Sequence, residues 1–166
     1  MSLAFILAKT REILMSQFRH FLLLLLLAFS FGGFTFYASV VVPAGGAVFG
    51  ASGQGFVTRR VTHALHWSTV VTVAILIWEV AAGWSNRGRR ANAIWAVCTA
   101  AIALSCATLF ALHPRVDAFL LEEGFSVKDY DHFYQLHRIY LWTATIQWAF
   151  TLPIFWCLAV PSRSNA

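Results

Sequence analysis

Five of the six histidines in this chain gather at the same ends of apolar segments: His63, His66, His113, His132 and His137. Ionisable side chains are costly in lipid, so a cluster of them at a membrane surface marks a place for chemistry. Three chemistries fit these residue types. Haem b would take His66 and His137 as two axial imidazoles from facing helices. A zinc or copper ion would draw on His63, His66, His113 and His137 with Asp117, because neutral imidazole suits both metals. A metal-free network would join His66 and His137 to Arg115, Asp117 and Arg138 by hydrogen bonds. Against these stands the plain reading, histidines solvated among lipid headgroups. The spacing lacks HExxH and paired-cysteine signatures, which would make a metal assignment specific.

A second ionisable group, Glu79, falls inside an apolar run. It reads either as a proton or cation relay or as a carboxylate paired with Arg87 or Arg89. Gln147 reads as a hydrogen-bonding residue between helices. No Ser/His/Asp or Cys/His nucleophile arrangement is present, so no catalytic motif supports an enzyme.

The elements that must position these residues are apolar and long. The chain has 166 residues, 59% hydrophobic and 11% charged, against about 25% charged in a soluble domain. Apolar runs cover 21–42, 61–84, 92–112 and 133–158. Each has the ~20 residues that span a hydrocarbon core of ~30 Å as a helix. These runs predict an all-α integral membrane protein, one domain over residues 1–166, built as a four-helix up-down bundle. Lys9, Arg11 and Arg19 ahead of the first run resemble the start of a secretion signal. The apolar stretch continues past Val42 with no small-x-small cleavage site, so an uncleaved first span is expected. Residues 2–18 suggest an amphipathic surface helix or a frayed end.

Lysine and arginine set the expected orientation. Lys9, Arg11, Arg19, Arg87, Arg89, Arg90 and Arg163 fall on one side, and the smaller set Arg59, Arg60, Arg115, Lys128 and Arg138 on the other. The short loop holding Arg87, Arg89 and Arg90 is where the positive-inside rule is most dependable, which predicts that both termini are cytoplasmic. The net charge of +5 then belongs to the inner face and suits anionic headgroups. Nucleic-acid motifs are absent. Cys98, Cys106 and Cys157 lie inside spans without a CxxC pair and read as small packing residues.

The connection 44–60, with Gly45, Gly46, Gly50, Gly53 and Gly55, predicts an irregular outer loop. It carries no Gly-Lys-Ser/Thr and so no phosphate cradle. The third run is rich in alanine and serine, which let helix backbones approach closely. Trp67, Trp78, Trp84, Trp95 and Trp142 lie near span ends, as interfacial belts do. Pro153 predicts a kink, and Pro114 the end of the third helix. The loop 117–132 is acidic, with Glu122, Glu123, Asp129 and Asp131, and could hold a short helix. An ion pair of Asp117 or Asp131 with Arg138 is expected there.

His66 and His137 sit about five and four residues into runs of the same direction. At 1.5 Å per residue, that is comparable depth, ~6–8 Å. Leu65-His66-Trp67-Ser68, Leu112-His113-Pro114-Arg115 and Phe133-Tyr134-Gln135-Leu136-His137 resemble the motifs of the transmembrane protein 205-like family of small four-span membrane proteins. The resemblance implies a four-helix membrane bundle with His66, Pro114, Arg115 and His137 as signature positions, and no established reaction. That family carries asparagine further into spans two and four, where this chain has Thr72 to Ile75 and Thr143 to Gln147. The expected function is therefore a structural or accessory component of a membrane complex, with a membrane-protein partner or a second copy of itself. The alternative is a metal- or haem-b-binding membrane protein using His66 and His137. Transport through Glu79 ranks behind both, because four helices leave little room for alternating access.

Overall fold

The computed structural model describes residues 3–85, 87–121 and 126–159. Glu122, Glu123 and Arg163, read above as loop acids and an inner-side cation, lie outside the described residues. Four α-helices follow in order: α1 Leu3–Phe36, α2 Val42–Gly83, α3 Arg89–Asp117 and α4 Tyr130–Ala159. Three helical runs are long and apolar enough to cross a membrane: Phe5–Gly83, Arg89–Asp117 and Tyr130–Ala159.

The sequence predicts four spans, and the difference lies in the first run. α1 passes into α2 through one π-helical turn, Tyr37–Val41, with no loop between them. The glycine-rich connection 44–60 is therefore helical rather than an irregular loop. Its one break is Gly50, at φ 71° and ψ 171°, a region essentially restricted to glycine. Three contacts show that the run folds back there. Arg19 meets Glu79, Ser30 meets Thr72 and Tyr37 meets Thr58, at sequence separations of 60, 42 and 21. That nested order is the signature of an antiparallel hairpin. The arms approach closely because Gly45 faces the Gln54 side chain and Gly33 faces Leu65. A side chain at Gly45 would collide with the Gln54 amide.

Contacts close a ring, α1 to α2, α2 to α3, α3 to α4 and α4 back to α1. Each helix turns a stripe inward. In α3 it is Asn92, Trp95, Cys98, Thr99, Ile102, Ser105, Cys106, Leu109 and Leu112, the three-and-four spacing of one helical face. Cys98 and Cys106 are buried free thiols, as packing residues would be. In α2 the inward stripe is mostly polar: Gln54, Thr62, His66, Thr69, Thr72, Leu76 and Glu79. An apolar layer of Leu23, Leu27, Leu76, Trp95, Ile102 and Ile154 separates Glu79 from the rest of that stripe.

α3 continues through Pro114 to Asp117 instead of ending at the proline. The helical bonding continues past the proline, with Ala118 N–H donating to the Pro114 carbonyl at 3.1 Å. The acidic connection forms a small antiparallel hairpin, β1 Leu120–Leu121 with β2 Ser126–Val127, rather than a short helix. α1 is unbroken from Leu3, so the predicted surface segment 2–18 is, over its described residues, the first part of a long helix.

Candidate functional site

Four side chains from three helices meet at the end of the bundle where α3 finishes. His66 of α2 is 5% exposed. Its Nε2 shares a 2.9 Å hydrogen bond with the hydroxyl of Tyr140 on α4. His113 of α3 stands against both, with ring centroids 5.5 Å from His66 and 6.4 Å from Tyr140. His137 lies parallel to Tyr140 at 6.5 Å and is stacked on Phe133 at 5.4 Å. Helical phase explains this: Tyr140 is three residues after His137, on the same face and about one turn deeper. Tyr140, rather than His137, therefore reaches His66. Both imidazoles lie beside the Tyr140 ring, and the Nε2 that a haem iron would need on His66 is already engaged.

His63 sits one turn above His66 and is exposed. Its Nε2 accepts the indole N–H of Trp67 at 3.1 Å, and its ring lies 5.7 Å from that of His113. His132 is apart from the cluster, exposed, with its Nδ1 2.7 Å from Asp129. That hydrogen bond holds the Asp129 carboxyl below its usual range, helped by the His132 backbone N–H. Among the described residues, no group of three or more His, Cys, Asp or Glu is disposed to hold a metal ion.

The expected network of Arg115, Asp117 and Arg138 is not formed. Arg115 and Arg138 are exposed. Asp117 pairs with Arg59 of α2 at 2.7 Å. α3 runs on through Pro114 to Asp117, which meets Arg59 of α2.

Beside the cluster a pocket of about 360 Å³ opens between the hairpin tip, α3 and α4. Its walls include Val42, Val116, Leu120 and Phe133, and its polar points include Gln54, His137 and Tyr140. Gln54 is 5% exposed and donates to the Tyr37 hydroxyl at 3.2 Å. A smaller cavity of about 40 Å³ lies deeper, lined by Ser30, Thr69, His66 and Gln147, and shares Thr62 and Tyr140 with the first. Gln147 donates to Thr69 at 3.3 Å and so joins α4 to α2, the interhelical role expected of it.

Glu79 is far from this cluster, near the other end of the bundle. Its carboxylate is bonded by both Arg19 of α1 and Arg87, while Arg89 is exposed. Arg87 also lies over the Trp95 ring at 4.4 Å, and Arg19 over Trp78 at 5.6 Å. Gly83 leaves room for this, because a side chain there would strike the Arg87 guanidinium. The Arg87 partner matches one reading of the sequence. Arg19 is visible only in the fold, since it is 60 residues from Glu79.

Sequence reasoning also missed Tyr140 and the polar stripe. The stripe had a signal: Gln54, Thr58, Thr62, His66, Thr69 and Thr72 recur at three- and four-residue spacing. Polar residues at that period in an apolar run mark a face turned from lipid. Comparison of the chain with family models, curated proteins and solved structures finds no match.

Proposed function

We infer that this chain is a multi-pass integral membrane protein, a four-span up-down bundle with both termini cytoplasmic. In this reading it serves as a non-catalytic accessory component of the membrane, and its histidine end is a hydrogen-bonded clasp. The observation that carries the reading is the buried 2.9 Å bond between His66 and Tyr140. It commits the most buried histidine to holding α2 against α4. Gln54 and Asp117 at that end are also engaged, with Tyr37 and Arg59, while the buried His66 Nδ1 and Gln54 Oε1 have no hydrogen-bond partner among the described residues. The Gly50 hairpin supports a four-span reading, since each arm exceeds the ~20 residues a bilayer core requires. The transmembrane protein 205-like motifs are compatible with this arrangement and supply no activity.

The competing reading, haem b or a copper or zinc ion on His66 and His137, requires Tyr140 to release His66. Elemental analysis of folded protein in mild detergent separates the two. The clasp predicts no stoichiometric iron, copper or zinc, together with loss of thermal stability in His66→Ala. Near-stoichiometric metal that disappears in His66→Ala and His137→Ala overturns it.

The pocket of about 360 Å³ favours a second role at the same end. Its volume is within the ~300–1,000 Å³ range of small-molecule sites, and its mainly apolar walls converge on a few polar groups, as such sites do. The ligand it suits is small and largely apolar, with one polar group for His137 or Tyr140. Native mass spectrometry of gently solubilised protein should reveal a bound small molecule that is lost in His137→Trp, which fills the space. Identical spectra for the two proteins would remove this role.

A further inference from the structure

A second cleft runs between α2 and α3, sharing Arg59, His113 and Asp117 with the pocket. Its rim carries Arg59, Arg60, His63 and His113, with Asp117 as the acid among its lining residues. Asp117 is shared with Arg59. Arg60 is exposed and makes no ion pair with another described residue. Among its described lining residues the cleft is therefore net positive. His63 adds a donor. Its Nε2 accepts from Trp67, so in the neutral ring the proton sits on Nδ1.

The surface changes abruptly one turn further toward the bundle centre. Trp67, 55% exposed, meets Phe110 edge-on at 5.5 Å. Beyond that pair the outward residues are aliphatic: Val70 and Val71 on α2, Leu104 on α3. The order along the helices is cationic rim, aromatic pair, then hydrocarbon surface. Tryptophan favours the headgroup level, and a guanidinium at that level pairs with phosphate oxygens through charge-assisted hydrogen bonds on either face of the membrane.

We propose that the α2–α3 cleft is a site for one anionic phospholipid, its phosphate held by Arg60 and His63 and its acyl chains lying over Trp67, Phe110 and the aliphatic surface beyond. The proposal rests on the membrane reading above. A free phosphate shares the headgroup chemistry, but it leaves the aromatic and aliphatic part of the surface unused. The lipid is bound as a fixed companion of the bundle and links its histidine end to membrane composition.

The test uses the full-length chain, stripped of lipid in detergent. Binding of phosphatidylglycerol, phosphatidylcholine and inorganic phosphate is compared by native mass spectrometry and thermal shift. The expected result is preferential binding and stabilisation by phosphatidylglycerol. Arg60→Gln should weaken that binding about fivefold, the worth of about 1 kcal/mol per basic residue at an anionic surface. Trp67→Ala should weaken it too. Arg138→Gln, an exposed cation outside the cleft, should leave it unchanged. Equal affinity for the two lipids, an equal loss in Arg138→Gln, or an unchanged Arg60→Gln overturns the proposal. Inorganic phosphate that matches the lipid would make the cleft an anion site and overturn the lipid assignment. Failure of the chain to enter nanodiscs would instead defeat the membrane reading, which sets the two failures apart.

Discussion

At one end of the bundle a carboxylate is clamped between two guanidiniums; at the other, imidazoles lean on a phenol and leave a pocket open beside them. Arg19, Glu79 and Arg87 come from α1, α2 and the turn after it, and the cations are further covered by Trp78 and Trp95. The histidine end is held across α2 and α4 by the neutral His66–Tyr140 bond, with the half-buried Arg59–Asp117 ion pair lining the pocket, and keeps about 360 Å³ free. An apolar layer around Leu76 and Ile102 divides the two. In the proposed reading the two ends do different work. Breaking a buried ion pair leaves charges with no compensation, so the Glu79 end is suited to fixing the fold. Neutral donors and acceptors can exchange partners at lower cost, so the histidine end is suited to binding.

This contrast orders the effects of substitution. Glu79→Gln should be the most damaging, because it leaves Arg19 and Arg87 facing a neutral side chain in a site where Glu79 is 8% exposed. Removing one partner of a buried pair costs about 3–5 kcal/mol. Thermal unfolding in detergent measures it, and a loss no larger than that of a surface substitution would place Glu79 outside the structural framework. Gly50→Ala comes next. At φ 71° and ψ 171° the new side chain should cost about 1–3 kcal/mol and loosen the hairpin tip. Proteolysis near residue 50 should report that loosening, and unchanged protection would contradict the Gly50 hinge.

Tyr140→Phe should cost about 1–3 kcal/mol by stranding His66 Nε2. A stability equal to wild type would mean that the clasp does not hold α2 to α4. The smallest effect belongs to Asp129→Asn, outside both ends. The His132 hydrogen bond lowers the Asp129 carboxyl in the folded chain. A lowered folded value gives stability that is present above the unfolded carboxylate value and lost as pH falls through the folded one. The variant should therefore unfold slightly earlier than wild type at neutral pH and match it in strong acid. A difference that persists in acid would assign the effect to something other than this carboxylate.

Much of the helical framework was legible in the sequence, because long apolar runs leave few alternatives to helix. The segment 44–60 was misread because glycine content was weighed alone. In the fold those glycines allow the arms of a hairpin to approach, as Gly45 does against Gln54, and that tertiary gain outweighs propensity. Of the five histidines grouped in the sequence, His63, His66 and His113 meet in the fold, while His132 stands apart with Asp129. The wiring of the cluster was not legible. Counting residues from the span start matched His66 with His137 in depth, but helical phase delivers Tyr140, one turn on, to His66. Asp117 or Asp131 was matched with Arg138, and Pro114 was read as the end of α3. The helix continues, and Asp117 meets Arg59 instead. In both cases residue types were visible, while partners depended on how two helices face one another.

The clasp itself is tested most directly by a double-mutant cycle on His66 and Tyr140, with unfolding followed in mild detergent. The account predicts that His66→Ala and Tyr140→Phe are each destabilising and that the double variant loses less than their sum, with a coupling of about 1 kcal/mol. Additive losses would mean that the two side chains act separately, and the histidine end would then need another explanation.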